Sequence, residues 1–102
     1  MARFDIFELE STGELLVMEV QSDLLSQLQT TVVIPLVQQK RLRETSLSTL
    51  HPQIEIEGQA YILRTAEISA INKAQLSHPI MNLEEQYRDT VMASIDFLIS
   101  GF

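Results

Sequence analysis

Helical periodicity is clearest in one stretch of this chain, and that stretch comes last. Leu83, Tyr87, Val91, Ile95 and Leu98 repeat at the spacing of one helix face. Asn82 with Glu85 three residues on matches a capping box, in which Asn82 accepts a free backbone N–H and Glu85 reaches back. Gly101 stands where a helix C-cap glycine belongs. Ahead of this helix the apolar residues come in short alternating or β-branched runs. Several strands followed by one helix constrain the chain to an α+β architecture, with an antiparallel sheet or a small barrel.

The strand runs are specific. Phe4 to Leu9 alternates imperfectly and predicts a first strand, and Ser11-Thr12-Gly13-Glu14 supplies turn residues. Leu15 to Gln21 predicts a second strand, with Leu16, Met18 and Val20 on one face and Leu15, Val17 and Glu19 on the other. The two are expected to form a hairpin. Ser22 to Ser26 reads as a loop or one helical turn, capped by Ser22 or Asp23. Thr31-Val32-Val33-Ile34 is β-branched throughout and predicts a strand that ends, bulges or lies at an edge at Pro35. Residues 38–50 are polar, with leucines at 42, 47 and 50, and read as a connecting loop or short helical turn. Gln53 to Leu63 reads as strand, tight turn at Glu57-Gly58, and strand, with Ile54 and Ile56 on one face. Ala66 to Ile71 predicts a further short strand. The length of 102 residues suits one domain spanning 1–102, with neither repeat nor linker.

Fourteen acidic residues against seven basic give a net charge of −7, which disfavours direct binding of a phosphate backbone. The basic residues cluster locally at Lys40-Arg41 with Arg43, where a solvated turn is the better reading than a phosphate contact. The absence of cysteine excludes a disulfide framework, a thiol nucleophile and a cysteine-ligated zinc site, and fits the cytoplasm. Asp5, Glu8 and Glu10 interrupt the apolar stretch a signal peptide would need, and the apolar runs are too short to span a bilayer. A soluble cytoplasmic protein with no membrane contact is expected.

No catalytic set assembles. His51 and His78 each precede a proline, and neither belongs to a metal-binding pair, so no metal and no cofactor are expected. Ser22 lies beside Asp23, but no histidine is placed by sequence to activate it, and capping is the better reading. Glu55 with Glu57 and Glu84 with Glu85 are acids of the kind strand faces and helix starts often carry. The end of the chain is informative instead. Phe97, Leu98 and Ile99 are consecutive, and a helix cannot bury all three against one core. The apolar helix end therefore predicts a surface for another protein, with a dimer seam or a buried terminus as the plainer readings. An interaction protein becomes the leading class.

Three segments carry a resemblance. Glu19-Val20-Gln21-Ser22-Asp23-Leu24-Leu25, then Val32-Val33-Ile34-Pro35-Leu36, then Ile95-Asp96-Phe97-Leu98-Ile99-Ser100-Gly101-Phe102 resemble, in order and spacing, the CcdB family of gyrase-poisoning toxins from bacterial toxin–antitoxin pairs. Phe4 fits as well. The resemblance implies a mainly antiparallel SH3-like barrel with a small side sheet and one C-terminal helix. It implies a homodimer whose helix ends lie near the two-fold axis. It implies binding to the A subunit of DNA gyrase, trapping the enzyme in its DNA-cleaved complex, and neutralisation by a cognate, CcdA-like antitoxin.

On this resemblance the gyrase-binding residues are Arg3, Phe4, Phe7, Ser22, Leu24, Leu25, Asp96, Ile99, Ser100, Gly101 and Phe102. The sequence departs from the family at its end. The best-known members carry Trp-Gly-Ile, whose Trp stacks on a gyrase arginine; here Ser100, Gly101 and Phe102 stand in those places, and Asp96 replaces an Asn. Asp96 can pair with the same arginine, and Phe102 can supply an aromatic face. The alternatives are a ribonuclease toxin of the same fold type, which would need an acid–base pair and a basic groove, and a weakened toxin relative that still binds antitoxin.

Overall fold

A computed structural model of the chain describes residues 2–9, 15–39 and 49–101. Among the described residues seven strands form one curled antiparallel sheet: β1 (Asp5–Glu8), β2 (Leu16–Glu19), β3 (Thr30–Gln38), β4 (Gln53–Ile56), β5 (Gln59–Leu63), β6 (Ser69–Asn72) and β7 (Met81–Asn82). Helix α1 (Glu84–Ser100) follows. The order across the sheet is β4-β5-β3-β2-β1-β7, and β6 branches off against β3. This half-barrel with one C-terminal helix is the expected α+β, SH3-like architecture.

The faces of β2 are those the alternation predicts. Leu16, Met18 and Val20 join Phe4, Ile6, Ile34, Leu36, Ile54, Ile56 and Leu63 in the main core, which Leu83 and Val91 close from the helix. Val17 turns to the other face with Phe7 and Val33, and Leu9, Leu15, Ile71 and Leu76 pack on them. The β1–β2 pairing matches the expected hairpin, with Ile6 opposite Met18; the turn at Ser11 to Glu14 and the basic cluster at Lys40 to Arg43 lie outside the described residues.

Pro35 does not end its strand. Val20 N–H donates to Val32 O at 2.9 Å, so hydrogen-bonded pairs alternate along β2–β3 and the Val17–Pro35 pair is a non-bonded one. The missing donor therefore costs nothing on that edge. On the other edge Pro35 O accepts from Arg64 N–H at 2.9 Å, just where β3 changes partner from β6 at Thr30–Val33 to β5 at Leu36–Gln38. A nine-residue strand can pass through a proline because the proline sits at that break.

The β4–β5 turn is as predicted. Glu57 and Gly58 both have positive φ, 51° and 78°, the signature of a type I′ hairpin turn whose twist matches its strands. Ile54 and Ile56 are buried while Gln53 and Glu55 are exposed. The run expected as a strand from Ala66 to Ile71 divides: Thr65–Glu67 is a 3-10 turn and only Ser69–Asn72 pairs with β3.

The helix start also differs in detail from the capping box. Asn82 Oδ1 accepts from Glu84 N–H at 2.9 Å, while its amide donates to Arg3 O at 2.8 Å and Asp5 Oδ1 at 2.9 Å. Asn82 thus joins the helix start to the N-terminal turn. Among the described residues Glu85 makes no reciprocal bond, because Asn82 belongs to β7 and stands one position outside Leu83, the geometric N-cap. The stripe holds at Leu83 and Val91, with Tyr87 and Ile95 packed against the core; Leu98 is only half-buried. Ser94 is the unforeseen member, wholly buried: it accepts from Thr65 Oγ1 at 3.1 Å and donates to Val91 O at 2.7 Å.

Candidate binding site at the helix end

The expected contact residues fall into two exposed groups and two core positions. The first group follows β2. Ser22 caps a 3-10 turn over Asp23–Leu25, its Oγ accepting from Leu24 N–H at 3.2 Å. A turn this short has no inward face, so its leucines point outward: Leu24 is 94% exposed and Leu25 about half so, as is Leu28 just beyond the turn. Asp23 Oδ1 accepts from Arg3 N–H at 2.9 Å and fixes the turn against the N-terminus.

Arg3 is the joint between this turn and the helix. Its Nε donates to Val20 O at 3.1 Å, its Nη2 lies 3.0 Å from Met92 Sδ, and its guanidinium sits 5.2 Å above the Phe4 ring. That stacking distance is within cation–π range. Arg3 is thus held in place from three sides and half-buried.

The second group is the end of α1. Asp96, Ile99, Ser100 and Gly101 are exposed, Ile99 at 75%, while Phe97 and Leu98 are half-buried. Three consecutive apolar residues are divided between core and solvent, as helical geometry demands. Gly101 takes a left-handed conformation, φ 78°, and donates its N–H to Phe97 O at 2.9 Å. The last turn carries no basic residue. The negative pole of the helix dipole and the Asp96 carboxylate therefore reinforce each other and favour a cation arriving there.

Phe4 and Phe7 are not surface residues. Both are 0% exposed, Phe4 in the main core and Phe7 on the second face of the sheet. The period-two alternation of β1 does not account for this, because β1 is covered on both sides. Phe102 lies outside the described residues. Of the histidines, His51 Nε2 accepts from Ala66 N–H at 3.4 Å and His78 is exposed. Among the described residues no group of three or more His, Cys, Asp or Glu is placed to hold a metal ion. No helix among them is long and apolar enough to cross a membrane.

The family model of the CcdB protein matches residues 3–101. The chain belongs to the CcdB family. Among solved structures it is similar to an endoribonuclease in complex with its cognate antitoxin from Mycobacterial species, at 10% identity and a TM-score of 0.76, over 97% of this chain and 94% of that one. At that identity the likeness is one of fold. None of the curated proteins matches the chain. Membership of the CcdB family supports the toxin of a toxin–antitoxin pair as its class.

Proposed function

We propose that this CcdB-family protein binds the A subunit of DNA gyrase, holds the enzyme in its DNA-cleaved state, and is neutralised by a cognate antitoxin in the bacterial cytoplasm. The observation that carries the reading is the helix end. Ile99 stands 75% exposed in the last turn of the helix, three residues after Asp96, and Gly101 caps that turn. An exposed large apolar residue next to an unpaired carboxylate is a compact docking tip. Among the described residues Asp96 has no ion-pair partner, so an arginine of gyrase can form a charge-assisted bond there. This contact would act in place of the ring stack that Ser100 cannot make.

The proposed contact set is Asp96, Ile99, Ser100 and Gly101, with Ser22, Leu24 and Leu25 as a second patch. Arg3 serves it by positioning both. Phe4 and Phe7 act through the fold. The protein works as a homodimer that presents two such tips, and its action is inhibition by binding.

Purified gyrase, supercoiled plasmid and the protein should give linear DNA after denaturant and protease treatment, and antitoxin should suppress it. Asp96→Ala and Ile99→Ala should each reduce the yield. A parallel incubation with RNA separates the ribonuclease alternative: RNA cleavage without trapped gyrase would replace the proposal. Antitoxin binding with neither activity would identify a weakened relative.

A further inference from the structure

A polar cleft of about 270 Å³ lies between the end of β2, the Asp23–Leu25 turn and the Lys73–Gln75 turn, lined by Glu19, Gln21, Ser22, Asp23, Ser26 and Lys73. Glu19 is only 6% exposed, an unusual place for a carboxylate. Its Oε2 accepts from Thr31 Oγ1 at 2.6 Å, but its Oε1 is buried with no partner. A buried charged oxygen left without a donor is costly, and the Glu19 side chain that carries it lines the cleft.

The other groups of the cleft define that donor. Asp23 uses Oδ1 for Arg3 N–H, and Gln21 uses its amide nitrogen for Thr30 O at 3.2 Å, which leaves its carbonyl an acceptor. Lys73 does not neutralise the carboxylates: its ammonium donates to Ser26 O at 2.6 Å and forms no ion pair among the described residues. Two carboxylates against one ammonium leave the cleft negative. We infer that this cleft binds a guanidinium group, the side chain of an arginine on a partner protein. A guanidinium offers several donors in a plane, suited to acceptors spread over Glu19, Gln21 and Asp23, and sheds its water more readily than an ammonium. A divalent ion needs several oxygens converging on one point, and among the described residues no group of three or more His, Cys, Asp or Glu is placed to hold a metal ion. The cleft far exceeds the ~30 Å³ share of one water, so a planar cation has room. The inference shares Ser22 with the proposed gyrase surface but needs no gyrase for its test.

The test is a nuclear magnetic resonance titration of the whole protein at constant ionic strength. Methylguanidinium chloride and the capped tripeptide acetyl-Gly-Arg-Gly-amide are the probes, with methylammonium chloride and magnesium chloride as comparisons. Saturable shifts of the Glu19, Thr31 and Lys73 amides are expected with both guanidinium probes. Glu19→Gln keeps an acceptor for Thr31 and removes the charge, and should weaken the probe by about tenfold. Lys73→Met removes a competing cation and should tighten it by roughly threefold. The second variant keeps the inference testable should the first not fold. Equal saturation by methylammonium, saturation by magnesium alone, a tripeptide that does not bind, or an affinity unmoved by Lys73→Met overturns it.

Discussion

Phe4 shows how far one residue's role depends on its surroundings. It takes a positive φ of 72°, which a bulky residue adopts only when its environment compels it. Here Phe4 N–H donates to Glu19 O at 2.7 Å, Phe4 O accepts from Leu83 N–H at 3.0 Å, and the ring is fully buried. Truncation by Phe4→Ala should cost about 3–5 kcal/mol in chemical denaturation; a stable variant that merely lost gyrase binding would return Phe4 to the contact set. Glu57 is the opposite case, a positive φ of 51° on an exposed turn. Asn tolerates that conformation better than Glu, so Glu57→Asn should raise stability by about 0.5 kcal/mol. Ser94 is a third case. Ser94→Ala strands the Thr65 hydroxyl in the core and should cost about 1–3 kcal/mol, and a neutral result would mean that a water replaces it.

At the scale of elements, α1 has two jobs along its length. Its N-cap Leu83 and, within the helix, Val91 close the core, and its end offers Asp96 and Ile99 to solvent. Leu83→Ala should lower stability by about 2–5 kcal/mol. Ile99→Ala should change stability by less than about 0.5 kcal/mol yet weaken the gyrase complex. Thermal melts and gyrase binding measured on both variants would distinguish the halves, and a large loss of stability at Ile99 would make the tip structural. The turn at Asp23–Leu25 joins this system through Arg3, whose bonds reach Val20 and Met92. β3 has a comparable double role, since its nine residues serve β6 first and β5 second.

For the whole molecule, the proposed homodimer would decide how much apolar surface stays in water. A chain of about this size stabilises itself modestly with one core, and Leu24, Leu25, Leu28, Val37, Ile80 and Ile99 remain exposed. Symmetric pairing would bury some of this surface twice over. Light scattering coupled to size exclusion at micromolar concentration should report about twice the 11.6 kDa of the chain. A clean 11.6 kDa species would remove the homodimer from the proposal. At this scale the negative cleft and the helix tip are separate acidic features, so the salt dependence of antitoxin and gyrase binding should differ between Glu19→Gln and Asp96→Ala.

Features under short-range control were legible along the chain. The alternation of β2, the tight turn at Glu57-Gly58, a cap at Ser22 or Asp23, the α1 stripe from Leu83 to Ile95 and the Gly101 cap follow from local sterics and periodicity; each is present, with Ser22 as the cap, while Leu98 at the end of the stripe is only half-buried. That Phe97, Leu98 and Ile99 could not all be buried followed the same way, since consecutive residues diverge around a helix; the structure makes Ile99 the exposed one. What covers each face was decided only by tertiary structure. Phe4 and Phe7 became core because layers close over both sides of β1, and Pro35 stayed in a strand because β3 changes neighbours there. Glu19 became a buried carboxylate because Thr31, its partner, is brought beside it by strand pairing. Period-two patterning says which residues share a face, but the burial of that face is a property of elements distant in the chain.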